Sequence, residues 1–334
     1  MPPTLRDAKA RLDEIIKKGR VDLYKPIQIA EVLNRSRLTP GLDVTNLQSY
    51  QNLSTHWRDN ITTRFTGKKS TSSARYQHDV WSATAMPPDY LSVLDRENKL
   101  TGGAVERYIY GIYFARQQTI SQIINYIKNT PTCEFQLIEL LKLFTDNKGM
   151  RRSIDKAYEI VAYSLFETIV VALNTTISLK VPENKRALLD EFSDLAKVLL
   201  GLNRNQLDIE MPAHIYRVGV TNAADRGLDM WANFGIAIQV KHLTLDSELA
   251  NNIVDQVESD AIVIVCTDAD ARAIETITRQ IGWGRRVRGI VKESNLISWY
   301  TRCLQGSFAC ELADQLISQL ICNFKKEFPQ TESK

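Results

Sequence analysis

Two stretches constrain the fold of this chain more than any others: Ala-Ile-Val-Ile-Val-Cys-Thr at 261–267 and Gly-Ile-Ala-Ile-Gln-Val-Lys-His-Leu at 235–243. The first is a continuous apolar run, which suits a strand buried on both faces. A strand of that kind needs helices above and below it, so the part of the chain that holds it is α/β. The second stretch alternates. Ile236, Ile238 and Val240 share one face of a strand, and Ala237, Gln239 and Lys241 share the other. The first face is fully apolar and must meet a helix layer. The second sets a carboxamide and an ammonium about 7 Å apart along the strand.

The rest of the C-terminal half fits around these strands. Residues 183–201 read as a helix, His214–Asn222 as a strand and 226–231 as a short second strand, with a turn at Asn233-Phe234-Gly235. Residues 246–258 read as a helix capped by Asp246 or Ser247, 269–281 as a helix, Arg286–Val291 as a strand and 293–306 as a helix. The order predicts a three-strand meander followed by helix–strand repeats, hence a mixed central sheet flanked by helices.

Upstream of residue 180 the pattern is helical. Leu5, Ala8, Leu12, Ile15 and Ile16 recur at helical spacing, and Pro26 opens a second amphipathic segment. Residues 103–129, 134–145 and 151–178 read as three more helices. Tyr108, Tyr110, Tyr113 and Phe114 on the first of them are expected in a core or a dimer face. Residues 40–100 are polar, and the piece from Thr62 to Gln77, rich in bases and hydroxyls, reads as an ordered loop or an arm. The expected organisation is therefore a mainly helical region at 1–180, with this arm at about 40–100, and a sheet-based core at 181–334.

If the turn centres on Asn233 and Phe234, Asp229 lies opposite Ile238 or Gln239. A carboxylate, a carboxamide oxygen and a lysine then meet at one spot on the sheet. Phosphodiester hydrolysis uses such a set: Mg²⁺ is held by oxygen ligands and keeps several waters, bound water becomes acidic, and a lysine stabilises the developing charge. Singly, Asp229 is equally a turn aspartate and Lys241 a strand-end surface lysine; their grouping in this architecture carries the reading.

The string Gly-Leu-Asp-Met-Trp-Ala-Asn-Phe-Gly-Ile-Ala-Ile-Gln-Val-Lys at 227–241 resembles the PD-(D/E)XK nuclease signature. Asp229 matches its metal-binding Asp and Lys241 its lysine, while Gln239 stands where that family usually has an acid. Arg20–Arg35, together with the chain length of 334, resembles the HaeII family of type II restriction endonucleases. The resemblance implies a bacterial, cytoplasmic, Mg²⁺-dependent endonuclease that cuts double-stranded DNA at a palindromic site of the RGCGCY type. It also implies a homodimer and a cognate DNA methyltransferase encoded nearby. Because Gln239 is neutral, a compensating acid is expected from Asp255 or Glu248 on the following helix, or from Glu191 on the preceding one. A structure-selective repair nuclease of the same fold and a catalytically inactive DNA-binding protein stand beside this reading.

Two basic clusters are candidates for DNA contact. Arg64, Lys68, Lys69 and Arg75 lie with Phe65 and Tyr76, and Arg279, Arg285, Arg286 and Arg288 surround Trp283. Net charge is only +3, so any basic face is balanced by acids elsewhere. Five scattered cysteines with no CxxC pair fit a reducing compartment, the N-terminal segment has no apolar core of a signal peptide, and no run approaches the ~20 apolar residues that span a bilayer. The four histidines are too dispersed for a metal site by spacing, and no P-loop or dinucleotide fingerprint is present.

Overall fold

The computed structural model describes residues 2–69, 77–218, 228–257, 259–270, 272–274 and 287–329. The chain divides into two compact units, Met1–Tyr158 with Leu320–Lys334, and Glu159–Gln319.

The regular structure among the first unit's described residues is helical and includes α1 (Leu5–Lys18), α2 (Tyr24–Leu38), α3 (Gln51–Thr66), α4 (Pro88–Leu100), α5 (Ala104–Asn129) and α6 (Leu137–Thr145). Thr4 caps α1 by accepting from the Asp7 backbone N–H, and the Asp7 carboxylate accepts from the Thr4 N–H in return. Ala8, Leu12 and Ile16 of α1 join Ile27, Val32, Leu91, Ile109 and Tyr113 in one core. The far end of α1 is capped from another helix. Buried Arg116 of α5 donates to the carbonyls of Ile16, Gly19 and Arg20 at 2.8–2.9 Å, which satisfies groups that a helix C-terminus leaves open.

Two segments of the polar stretch 40–100 are helices rather than an arm. The reason is the nature of the face that α3 buries: Ser54, Arg58, Thr62 and Thr66, at four-residue spacing. Arg58 donates to Gln28 at 3.1 Å and to Asp59 at 2.6 Å, and Gln28 donates to Ser54 at 2.9 Å. A buried polar stripe leaves no hydrophobic period to read. Phe65 anchors the end of α3 among Tyr110, Tyr113 and Phe114 of α5.

The second unit begins within α7 (Ile154–Ala172). The helix expected to reach 178 stops at 172, because Asn174 takes a left-handed backbone (φ 47°) and Thr176–Lys180 forms β1. The single helix expected over 183–201 is two short ones, α8 (Arg186–Glu191) and α9 (Ser193–Leu200), broken at Phe192. Both sit between β1 and its antiparallel partner β2 (Asp208–Pro212), which pair Ile177 with Met211 and Leu179 with Ile209.

A five-stranded sheet follows, in the order β3 (Ile215–Arg217), β4 (Met230–Ala232), β5 (Ile236–Leu245), β6 (Ala261–Ala269) and β7 (Val287–Lys292). The first three strands form the expected antiparallel meander; β5, β6 and β7 run parallel. Gly235 closes the β4–β5 turn with φ 86°, a conformation that favours glycine. Between β5 and β6 lies α10 (Ser247–Gln256), capped by Asp246, which accepts from the Leu249 N–H at 2.8 Å. Its Ala250 and Ile253 pack on Ala237, Ile262 and Ile264. The opposite face carries Ile236, Ile238 and Val263, which line an apolar cavity of about 780 Å³ with Leu165 of α7 and Trp299 of α11 (Glu293–Gln305). The last helix, α12 (Ala309–Glu327), has no counterpart in the sequence reading, and its Phe324 returns to Phe144 in the first unit's core. Of the helix expected at 269–281, only residues 272–274 are described, as helix. No helix among the described residues is long and apolar enough to cross a membrane.

Two expectations about stability follow. Arg116→Ala should cost about 2–3 kcal/mol, read from the urea midpoint; no change would show that water caps α1 equally well. Burial, with Glu327 adding to it and Lys68 opposing, pushes the Asp22 carboxyl from 3.8 up to about 6. Between those values the unfolded chain ionises first, so the folded state loses stability as pH rises and carries the full penalty above about 6. Asp22→Asn should therefore raise Tm at pH 7.5 by a few degrees and gain nothing near pH 3.5, in paired thermal melts.

Candidate active site

The position of β5 between an antiparallel and a parallel neighbour determines the site. Met230 pairs with Ile238 and Trp231 with Ala237, so Asp229 falls beside Gln239. The contact is direct. One Asp229 carboxylate oxygen, Oδ2, accepts from the Val240 backbone N–H at 2.7 Å, and the Gln239 Nε2 lies 3.5 Å from it. Gln239 is buried, while Asp229 and Lys241 are half-buried. By strand alternation Lys241 shares the Gln239 face. Among the described residues no carboxylate lies within ion-pair distance of Lys241, so its ammonium is available to an anion.

On the β6 side Lys241 pairs with Cys266, which pairs with Lys292 of β7. Paired residues share a face, and adjacent strands lie ~4.8 Å apart, so two lysines flank a cysteine in one row. Burial pushes the Cys266 thiol up to about 11, and the neutral sulfur offsets neither charge. Lys292 is held by Asp268 at 3.0 Å, and its hydrogen bond keeps that exposed carboxyl below the usual range. On the β4 side, Tyr216 and Trp231 stack at 4.6 Å between ring centroids and are partly exposed on the same face. Neither Lys292 nor this aromatic pair stood out in the sequence. Lys292 belongs to an ordinary strand–helix junction, and the stack depends on a register known only once β3 and β4 are paired.

The other proposed residues are more dispersed. Asp255 is exposed on α10, two positions past buried Ile253, and so points away from the sheet. Glu248 is exposed on the first turn of the same helix, and Glu191 is exposed at the end of α8 within the β1–β2 insertion. Among the described residues no three His, Cys, Asp or Glu side chains gather as a metal-binding group, so Asp229, Asp255 and Glu191 do not converge. Among the described residues the donors at hand are one carboxylate and one carboxamide. That fits Mg²⁺, which commonly takes one or two protein carboxylates and completes its shell with water and substrate phosphate.

Arg64 is exposed on α3, and Lys69 is exposed just past it. Lys68 donates to the Lys326 backbone carbonyl at 2.5 Å. Arg75, Arg279, Trp283, Arg285 and Arg286 lie outside the described residues; Arg288 is exposed on β7. The helix that does support the meander is α7, through two acids that the sequence reading passed over. Glu167 accepts from the Ile215 N–H at 2.7 Å and pairs with His214 at 2.9 Å, and buried Glu159 pairs with Arg217 at 3.2 Å. All three contacts connect residues far apart in sequence, which no local pattern records.

A model of the HaeII restriction endonuclease family matches residues 8–334. The chain belongs to the HaeII restriction endonuclease family. Two relatives agree over nearly the whole length. The type II restriction enzyme NgoBI of Neisseria gonorrhoeae is 47% identical over 324 residues, covering 97% of this chain and 92% of the relative. The type II restriction enzyme HaeII of Haemophilus aegyptius is 44% identical over 325 residues, with the same two coverages. No solved structure matches the chain. Within this HaeII-family fold, the sheet face that carries Asp229, Gln239 and Lys241 is the candidate for chemistry; the apolar cavity on the other face brings no carboxylate.

The Cys266 row gives a direct check on this geometry. Among the five free cysteines, Cys133, Cys310 and Cys322 are exposed and Cys266 and Cys303 are buried. Titration of the native protein with a thiol reagent at pH 7.5 should label three sites quickly and two only on unfolding. Rapid labelling of Cys266 would show that this part of the sheet face is open.

Proposed function

We propose that Asp229, Gln239 and Lys241 form the hydrolytic centre of this type II restriction endonuclease, a site-specific cutter of double-stranded DNA, on a PD-(D/E)XK core. The observation that carries the proposal is the meeting of an Asp229 carboxylate and a Gln239 amide on the sheet face of Lys241, a lysine with no carboxylate partner among the described residues. The backbone N–H of Val240 orients the Asp229 carboxylate, an oxygen ligand of the kind a hard cation takes. Gln239 donates toward Asp229, and half a turn of its terminal amide would present its carbonyl oxygen instead. When bound, Mg²⁺ would polarise the phosphate and acidify a bound water. Lys241 would hold the attacking oxygen and offset the charge that builds on the phosphorus oxygens. Lys292 stands two strands away, about 10 Å across the sheet. That suits a neighbouring phosphate of the same DNA backbone, with Asp268 fixing its ammonium in place.

DNA contact beyond the centre is assigned to Arg64, Lys68, Lys69 and Arg75, and to Arg285 and Arg286. The chain acts in this reading as a homodimer on a palindrome of the RGCGCY type, where protein and site share a two-fold axis. A methyltransferase encoded nearby would protect the host's own copies of the site, and the cytoplasm would be the place of action.

Three variants test the centre on unmethylated phage DNA. Asp229→Ala should abolish discrete Mg²⁺-dependent fragments while DNA binding persists in Ca²⁺. Lys241→Ala should slow cleavage about 100- to 1000-fold. Gln239→Glu should lower the Tm of the metal-free protein, since it sets two carboxylates side by side, and Mg²⁺ should restore it. Full cleavage by Asp229→Ala would move the centre elsewhere. Intact DNA from the wild-type chain on every substrate, with binding retained, would leave a DNA-binding protein without turnover.

A further inference from the structure

Between β1 and β2 the chain carries an apolar surface that none of the described residues covers. Leu188, Phe192, Leu195, Val198, Leu199 and Leu200 are all exposed, Val198 to 83% and Leu199 to 70%. In α9 no residue is buried, and in α8 only Leu189 is. This is the reverse of what short helices need. Segments of six and eight residues are marginal without tertiary packing, and a two-stranded ribbon such as β1–β2 supplies little. Leu195 and Leu199 stand one turn apart on α9, with Leu188 on α8 and Phe192 at the break between the two helices. An exposed apolar patch of this size marks an interaction site.

We infer that α8 and α9 form the docking surface for a second copy of this chain. The inference rests on the homodimer named above and gives it a location. Three observations select this occupant. Six large apolar side chains, each exposed to 45% or more, supply the apolar centre that a stable pair, at about 800 Å² a side, surrounds with a polar rim. Nucleic acid is a poor fit, because the patch is apolar and its surrounding charges are of both signs. Arg186 pairs with Glu183 at 3.2 Å and Arg204 with Asp190 at 3.3 Å, and Asp194 and Lys197 stand on the same helix. A rim of mixed charge can meet its own copy across a two-fold axis, where each cation faces the other copy's anion. The apolar ridge of α9 can likewise pack into the same groove of its own copy.

The test is sedimentation equilibrium of the full chain at micromolar concentration, wild type beside Leu195→Glu with Val198→Glu, and with Leu100→Glu as a control on another exposed leucine. The expected result is a wild-type dimer, an unchanged control, and at least a 100-fold weaker dimer for the double variant with its circular dichroism intact. A second readout does not depend on the fold of that variant. Val198→Cys, with Cys133, Cys310 and Cys322 changed to Ser, should cross-link to a dimer under short maleimide linkers, and wild-type chain in excess should suppress it.

A double variant that stays dimeric, together with no cross-link, would overturn this surface and leave the homodimer reading standing. A monomeric wild type would overturn both. A dimer that persists while the double variant loses DNA affinity would overturn the inference and assign the surface to DNA.

Discussion

Everything at the proposed centre depends on the pairing of β5 with neighbours of opposite sense. Antiparallel β4 fixes which residue faces Gln239, and parallel β6 fixes what lies beyond Lys241. A slip of one residue on either side would turn Gln239 and Lys241 to the apolar face. The register is held from several directions at once. Gly235 makes the turn, Ser259 bonds to the Gly235 carbonyl at 3.1 Å, Asp229 bonds to the Val240 N–H, and the Ile236–Ile238 face is committed to α7 and α11. The site is thus built from the interior of the sheet outward, with Lys241 beside it and Lys292 held by Asp268 two strands away.

That arrangement explains which parts could be read from the sequence. The strands around β5 and β6 announce themselves, because a strand with an apolar face, or two, has no other way to satisfy its side chains. The mixed sheet with flanking helices follows from them, as does the proximity of Asp229 to Gln239. Polar burial concealed the rest. Helix α3 hides an arginine, two threonines and a serine instead of leucines, so it looked like a loop. The insertion between β1 and β2 went unseen for the opposite reason. Its apolar residues imitate those of an ordinary core helix, and nothing local shows that they face outward. The acids of α7 that brace β3 were invisible too, because their partners lie 47 and more residues away.

Gln239 departs most plainly from the nuclease pattern, and its surroundings supply a physical reason for a neutral residue. Gln239 is buried, and its amide lies 3.5 Å from the Asp229 carboxylate. A second carboxylate at that distance, away from water, would force one of the pair to keep its proton or raise the energy of the folded state. A carboxamide substitutes a weak hydrogen bond for that repulsion, so the chain can fold around the site before any cation arrives. In the proposed centre the cost would fall on metal affinity, since an amide oxygen attracts a divalent ion less than a carboxylate does. In the proposed centre, with one carboxylate among the described residues, the charge balance of a Mg²⁺ ion would close when the DNA phosphate contributes its own negative oxygen. Cation and substrate would then bind cooperatively, and the centre would be complete only on DNA.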